Sequence, residues 1–504
     1  MKSFSQIPVG QPIPNNLHSV SLSLPTMEHV RGYEERNPLT MQHIHSGYPR
    51  FVTHHLIEAC KTRFRESQGG SGQDIYCLNS QKATRELIRF TGGTPDIAIQ
   101  SEIAFVSYKA NSEESRRAHQ FLQHTGTCIS SRRAEDYLGS GLKSGQSSSS
   151  QSPTSRFENP VGSTPETVLR ILGEAHMTSP NNVFLATSGM NAFFSVFRAM
   201  QDLQAEHGRS LWLQLGWLYV DTGEILRKFN KPEDFAFLPN VFDLDAVRTF
   251  VRENRDRIAG IVTESPTNPL VEMMDIDALH SIAAESGAAL ILDPTLVTPL
   301  NIHVLKHADA VINSLTKYAS HEGDVMIGSA VLNPESPYYQ QLRDRLPVLI
   351  EPPYTRDLNR LADQIGNYRG VVAQINSNVM RLAHFLSNSP SVAKVYWAYA
   401  DASRRNFEKY ERQSNAPGGI ITIELKMPLD RFYDRISVAK GPSFGSIFTI
   451  LCPFMYLAHY DLVNSVQGQK YLRSLGLNPD LVRISVGIEP IDEIIEAFSV
   501  ALSE

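Results

Sequence analysis

The chain reads as an α/β protein built on a mostly parallel sheet, with a smaller α/β unit towards its C-terminus. Three observations carry that expectation. Between Pro165 and Lys317, short apolar runs alternate with stretches of helical period. Several of those runs pass straight into a polar turn. Beyond a long helical stretch that starts at Asn367, strand-like pieces resume and a helix closes the chain.

Taken in order, PETVLRILGEA from Pro165 predicts a helix, and NVFLAT, ending at Thr187, a buried strand. MNAFFSVFRAMQDL has helical spacing. RIAGIVTES and AALILDPT read as strands on either side of DIDALHSIAAES, an amphipathic helix. DAVINSLTK is a further strand with a polar end. Strands alternating with helices imply a parallel sheet covered on both faces. NYRGVVAQINSNVMRLAHFLSNS predicts one long connecting helix. GGIITIELK and LVRISVG then predict strands, and IDEIIEAFSVALSE the last helix.

At 504 residues the chain exceeds what one core usually serves, so several domains are expected. The pattern divides it into an N-terminal extension over 1–160, a large domain with its connecting helix over 161–387, and a small domain over 388–504. Within the extension, Gly139 to Ser155 is Gly/Ser-rich, and such a composition predicts a mobile surface loop. Residues up to about 115 carry no recognisable catalytic motif.

A net charge of -6 gives no electrostatic case for nucleic acid or an anionic membrane. The four cysteines are scattered, without a CxxC pair, which suits a reducing compartment. The first residues lack a signal-peptide core, and no apolar run is long enough to span a bilayer, so a cytoplasmic protein is expected. His54-His55 and His43-x-His45 lack completing ligands, and no metal is expected.

Four polar turns follow strand-like runs: Ser188-Gly189-Met190, Glu264 to Pro269, Asp293 to Thr295, and Asn313 to Lys317. In a parallel sheet all four lie at the carboxyl edge, where ligands bind.

ESPTNPL, ILDPTLVTP and INSLTKYASHEGDVMIGSAVLN resemble the Cys/Met-metabolism family of pyridoxal-phosphate (PLP) enzymes. The S-x-T-K pattern followed by aspartate is met by Ser314, Thr316, Lys317 and Asp324, and LVRISVGIE resembles the closing motif. The resemblance covers roughly residues 120 to 504. HSVSLSLPT, SGYPRF, GTCISSRRAEDYL and LCPFMYLAHY are similar to the fungal cystathionine γ-synthase-like branch, which also carries a long N-terminal extension.

This resemblance implies an aspartate-aminotransferase-like fold (fold type I) with a seven-stranded mostly parallel sheet, and a homodimer or homotetramer with shared active sites. It implies that Lys317 holds PLP as a Schiff base and moves the Cα proton. Asp293 would pair with the pyridine nitrogen and keep it protonated. Ser188, Gly189 and Met190 would bind the phosphate at a helix N-terminus, with the hydroxyls of Ser314 and Thr316. Ser188 also fits a plain N-cap. Tyr219, in YVDTGEIL, aligns with the family's Y-G-G-T segment and would stack on the ring, with Trp217 as a rival. Asn268 would bond the phenolic oxygen. Arg483 would grip the substrate carboxylate, helped by Ser443 in KGPSFG.

Arg132, in ISSRRAE, is the preferred arginine for the neighbouring subunit's phosphate, with Arg156 as runner-up. Ser130 and Thr154 stand where the family has tyrosine before the Ser-Arg pair, and Pro442 stands where several members carry Glu.

The activity this implies is γ-replacement on an O-acyl-L-homoserine, with L-cysteine as the nucleophile and cystathionine as the product. Another nucleophile in specialised metabolism, or a cystathionine or methionine lyase, are alternatives. An inactive PLP-fold scaffold is a reading from a different class.

Overall fold

A computed structural model describes residues 6–47, 52–68, 72–139 and 165–503. Nearly all of the Ser-rich stretch, and Arg156 with it, lie outside the described residues.

Every element expected from Pro165 onward is present. The large sheet has seven strands. Six are parallel: Val183–Ala186, Leu211–Leu215, Phe235–Leu238, Ile258–Glu264, Ala289–Asp293 and Ala310–Ser314. The seventh, Gly328–Leu332, is antiparallel and sits between Ala310–Ser314 and Val183–Ala186. The strand Ile258–Glu264 is buried along its whole length, as a sheet covered on both faces requires.

The helix Gly189–Ala205 explains part of that cover. Phe193, Phe194, Val196, Phe197, Ala199 and Met200 are all buried, so this helix is apolar nearly all round. It lies between the large sheet and the N-terminal extension. Phe194 meets Phe121 of the extension edge-on at 5.8 Å, and Phe197 meets Trp212 of the sheet at 4.9 Å.

The 20-residue helix Tyr368–Ser387 leads to a five-stranded sheet that includes Ile420–Leu425 and Val482–Ser485. The fold class is thus the expected one: a large, mostly parallel sheet and a smaller C-terminal α/β unit.

The extension carries a sheet of its own. Gln73–Leu78, Ile103–Lys109 and Asp96–Gln100 pair antiparallel, with Ile103–Lys109 in the centre. Helices His55–Gln68 and Ser131–Gly139 bury Cys60, Phe64, Ala134 and Tyr137 against this sheet. Before it, residues 20–27 run along the C-terminal unit. The Leu24 amide donates to the Lys440 carbonyl at 2.9 Å, and the Met27 amide to Asp434 at 2.8 Å. Buried Lys440 donates back to the Pro25 carbonyl at 2.8 Å. Among the described residues, no helix is long and apolar enough to cross a membrane.

Candidate active site

The carboxyl ends of the parallel strands open into one cavity of about 230 Å³. Lys317 reaches it from the turn after Ala310–Ser314 and is only 4% exposed. Its Nζ donates to Ser443 Oγ at 3.1 Å and lies 4.8 Å from the centroid of the Phe444 ring. Ser443 sits at φ +99°, a region costly for a side-chain-bearing residue. That backbone turns its hydroxyl to Lys317 and its carbonyl to Arg483, whose Nη2 donates to it at 3.0 Å.

Arg483 also donates to Asn268 Oδ1 at 3.1 Å. Its guanidinium lies between the rings of Phe444, at 5.0 Å, and Phe454, at 4.9 Å. Among the described residues no carboxylate forms an ion pair with this buried cation, so its charge is open to an incoming anion.

Asp293 and Glu264 end adjacent strands, and the parallel register sets them directly opposite each other. Burial pushes Asp293 up to about 6, against hydrogen bonds from Thr295 that act the other way. Burial, and then the Asp293 charge, hold Glu264 well above the usual carboxylate range. Asp293 Oδ1 accepts the Thr295 amide at 2.8 Å, and Glu264 accepts the Tyr219 amide. Two buried carboxylates side by side favour a cation between them and the cavity.

At the other end, Ser188 caps the helix Gly189–Ala205 and accepts the Asn191 amide at 3.0 Å. The N-cap reading of Ser188 therefore holds, and the first turn still presents backbone amides. Close glycines shape this end. A Cβ on Gly126 would fall 2.0 Å from Ser188 Oγ, and one on Gly328 2.4 Å from the Ser188–Gly189 backbone. An amide-lined cradle, a buried lysine and a cation-seeking carboxylate suit, in turn, the phosphate, the aldehyde and the protonated ring of PLP.

The structure brings Ser188, Gly189, Met190, Tyr219, Asn268, Asp293, Ser314, Thr316, Lys317 and Arg132 onto this one cavity. Arg483 and Ser443 stand directly behind it, bonded to Asn268 and Lys317. Trp217 faces elsewhere, edge-on to Phe237 and His459. The Thr316 hydroxyl is engaged with both the carbonyl and the amide of Ile327. Arg132 is bound within its own chain, to the Asp324 carbonyl at 2.7 Å and to Asp357 at 3.0 Å.

Three features were not among the expected site residues. Glu264 ends a strand whose register no sequence reveals. Phe444 is simply the neighbour of Ser443. The extension supplies His18 and His54 to the cavity wall. Burial, and after it the charge of Arg132, brings His18 down to about 4.

Known proteins are similar to this chain in sequence and in fold. L-2-amino-4-chloropent-4-enoate dechlorinase/desaturase of Streptantibioticus cattleyicolor is 39% identical over 490 residues, which span 97% of this chain and 97% of that protein. Cystathionine γ-synthase of Neurospora crassa is 27% identical across 98% of each. Cystathionine γ-lyase from Lactobacillus plantarum, solved with L-serine, superposes with a TM-score of 0.57 at 19% identity, covering 67% of this chain and 85% of that one. The Cys/Met metabolism PLP-dependent enzyme pattern matches residues 109–503, so this chain belongs to that family and pyridoxal 5'-phosphate is its cofactor.

Proposed function

We propose that the chain eliminates a leaving group from Cγ of a small L-α-amino acid, with chloride on an unsaturated side chain as the first candidate. The observation that carries this reading is the 39% identity to a dechlorinase/desaturase, which extends over 97% of both chains and so includes the extension that walls the cavity. The substrate in that relative's name bears chlorine on C4, the γ carbon.

Each residue then has a definite task. Arg483 grips the substrate carboxylate with two parallel N–H groups, screened from water by Phe444 and Phe454. Lys317 takes the Cα proton, and Ser443 Oγ, 3.1 Å from Nζ, aims the amine. Ser188, Gly189 and Met190 would hold the phosphate of PLP, Asp293 its ring nitrogen, Asn268 its phenolic oxygen and Tyr219 its ring face. When bound, PLP supplies an electron sink for the charge that develops at Cα and Cβ. The carbon–chlorine bond breaks with its electron pair leaving as chloride, a proton leaves a side-chain carbon next to Cγ, and Lys317 returns the Cα proton, so that HCl is lost overall and one new unsaturation remains. Assembly as a dimer or tetramer belongs to the same proposal.

A second reading is γ-replacement on an O-acyl-L-homoserine by cysteine, favoured by the 27% likeness to cystathionine γ-synthase. One experiment separates the two. The PLP-loaded protein is given L-2-amino-4-chloropent-4-enoate, and separately O-acetyl-L-homoserine with and without cysteine. Chloride is measured by ion chromatography and organic products by mass spectrometry. Chloride release is the expected result. Cystathionine formed only with cysteine, and no chloride from the chlorinated substrate, would replace this reading with the second.

A further inference from the structure

The segment YVDTGEIL departs from the family's Y-G-G-T pattern at two positions: Val220 and Asp221 stand where the pattern has glycines. The structure gives Asp221 a partner from the N-terminal extension. His124 lies in the last turn of the helix Glu113–Thr125 and is 1% exposed. Its Nδ1 lies 2.8 Å from Asp221 Oδ1, and Asp221 is also 1% exposed. Its Nε2 lies 3.0 Å from Nζ of Lys228.

The direction of the hydrogen bonds follows from chemistry. An ammonium group has only donors, so Nε2 accepts from Lys228. The ring proton then resides on Nδ1 and is donated to the Asp221 carboxylate. A buried, charge-assisted bond of this kind fixes both partners.

The place it fixes is the turn that carries Tyr219. Tyr219 is the N-cap of the helix Val220–Lys228, and Asp221 is that helix's second residue. Thr222, the next residue, contacts the sulfur of Met190 at 3.9 Å. Tyr219 and Met190 both line the cavity. Asp221 thus ties the aromatic turn to the extension on one side, while its neighbour packs on the phosphate-end turn.

We infer that His124 and Asp221 are positioning residues, through which the N-terminal extension holds Tyr219 against the PLP ring. Where glycines would leave this turn loose, a cross-link to a second folded unit sets it. The inference rests on the proposed reading of Tyr219 as the ring-stacking residue.

The test uses PLP-loaded full-length protein and reads PLP release by absorbance and the visible circular dichroism of the bound cofactor, beside kcat and KM. Tyr219→Ala and His124→Ala are both expected to speed PLP release about tenfold and to change the dichroism in the same direction. His124→Asn keeps a donor near the place of Nδ1 and is expected to stay within about twofold of the parent. Should His124→Ala not fold, His124→Leu combined with Asp221→Ala leaves no lone buried carboxylate and carries the same expectation. If Tyr219→Ala changes release and dichroism while the folded His124 variants change neither, the positioning role is overturned. If His124→Ala changes both and Tyr219→Ala neither, the ring does not rest on Tyr219, and the route through it fails with that reading.

Discussion

The cavity has two walls of different origin. One is the carboxyl edge of the large sheet, with Ser188, Asp293 and Lys317. The other comes from the extension, with His18, His54 and, behind it, His124. Residues on the sheet edge are set by backbone: each follows a buried strand whose register leaves little freedom. Residues on the extension are set by side-chain bonds across large sequence gaps, such as His124 to Asp221. On the proposed reading, the sheet edge holds PLP and the catalytic lysine, and the extension closes the other side of the same cavity.

The largest expected effect falls on the sheet edge. Lys317→Ala lowers turnover by on the order of a thousandfold or more and removes the visible band of the bound cofactor, both measured on purified protein. Next comes Arg483→Ala, which raises KM about ten- to a hundredfold, because a hydrogen-bonded charge is lost from carboxylate recognition. Steady-state kinetics with the chlorinated substrate reads this directly. If KM stayed unchanged, the carboxylate would bind elsewhere.

A third prediction concerns stability. Burial raises Asp293 from 3.8 to about 6. A carboxyl raised in this way contributes stability that is complete below its unfolded value and is lost as pH climbs through the folded one. Cofactor-free Asp293→Asn is therefore more stable than the parent near pH 8, by roughly 1–3 kcal/mol, and the gap closes towards pH 4. Thermal melts across that range show it, and a gap that widened on acidification would reverse the assignment. The smallest effect is on the outer side of the extension. The Arg31–Asp430 pair, at 2.7 Å, is half-exposed, and Arg31→Ala costs less than about 1 kcal/mol in urea unfolding.

The contrast between the walls also explains what could be read in advance. Lys317, Asp293 and Ser188 could be put at one sheet edge because each marks the step from an apolar run to a polar turn, and their expected roles came from the family resemblance of the motifs around them. Glu264 ended such a run too, but its meaning lies in pairing with Asp293, and register is a property of two strands rather than one. Apart from the ISSRRAE segment with Arg132, the extension was illegible for a different reason. Its strand Asp96–Gln100 exposes Ile97 and Ile99, so its pattern does not mark a buried edge. His124 belongs to no motif, since its role exists only through a partner 97 residues away.

The strap formed by residues 20–27 has a consequence for how the chain is made. Its anchors are Met27 to Asp434 and Lys440 to Pro25, separated by 407 and 415 residues. On a ribosome that works from the N-terminus, this segment emerges some four hundred residues before the groups it docks on and must wait for them. Contacts of that span close late and slowly. A growing chain therefore carries Leu22, Leu24 and Met27, all fully buried at the end, as exposed apolar surface for most of its synthesis.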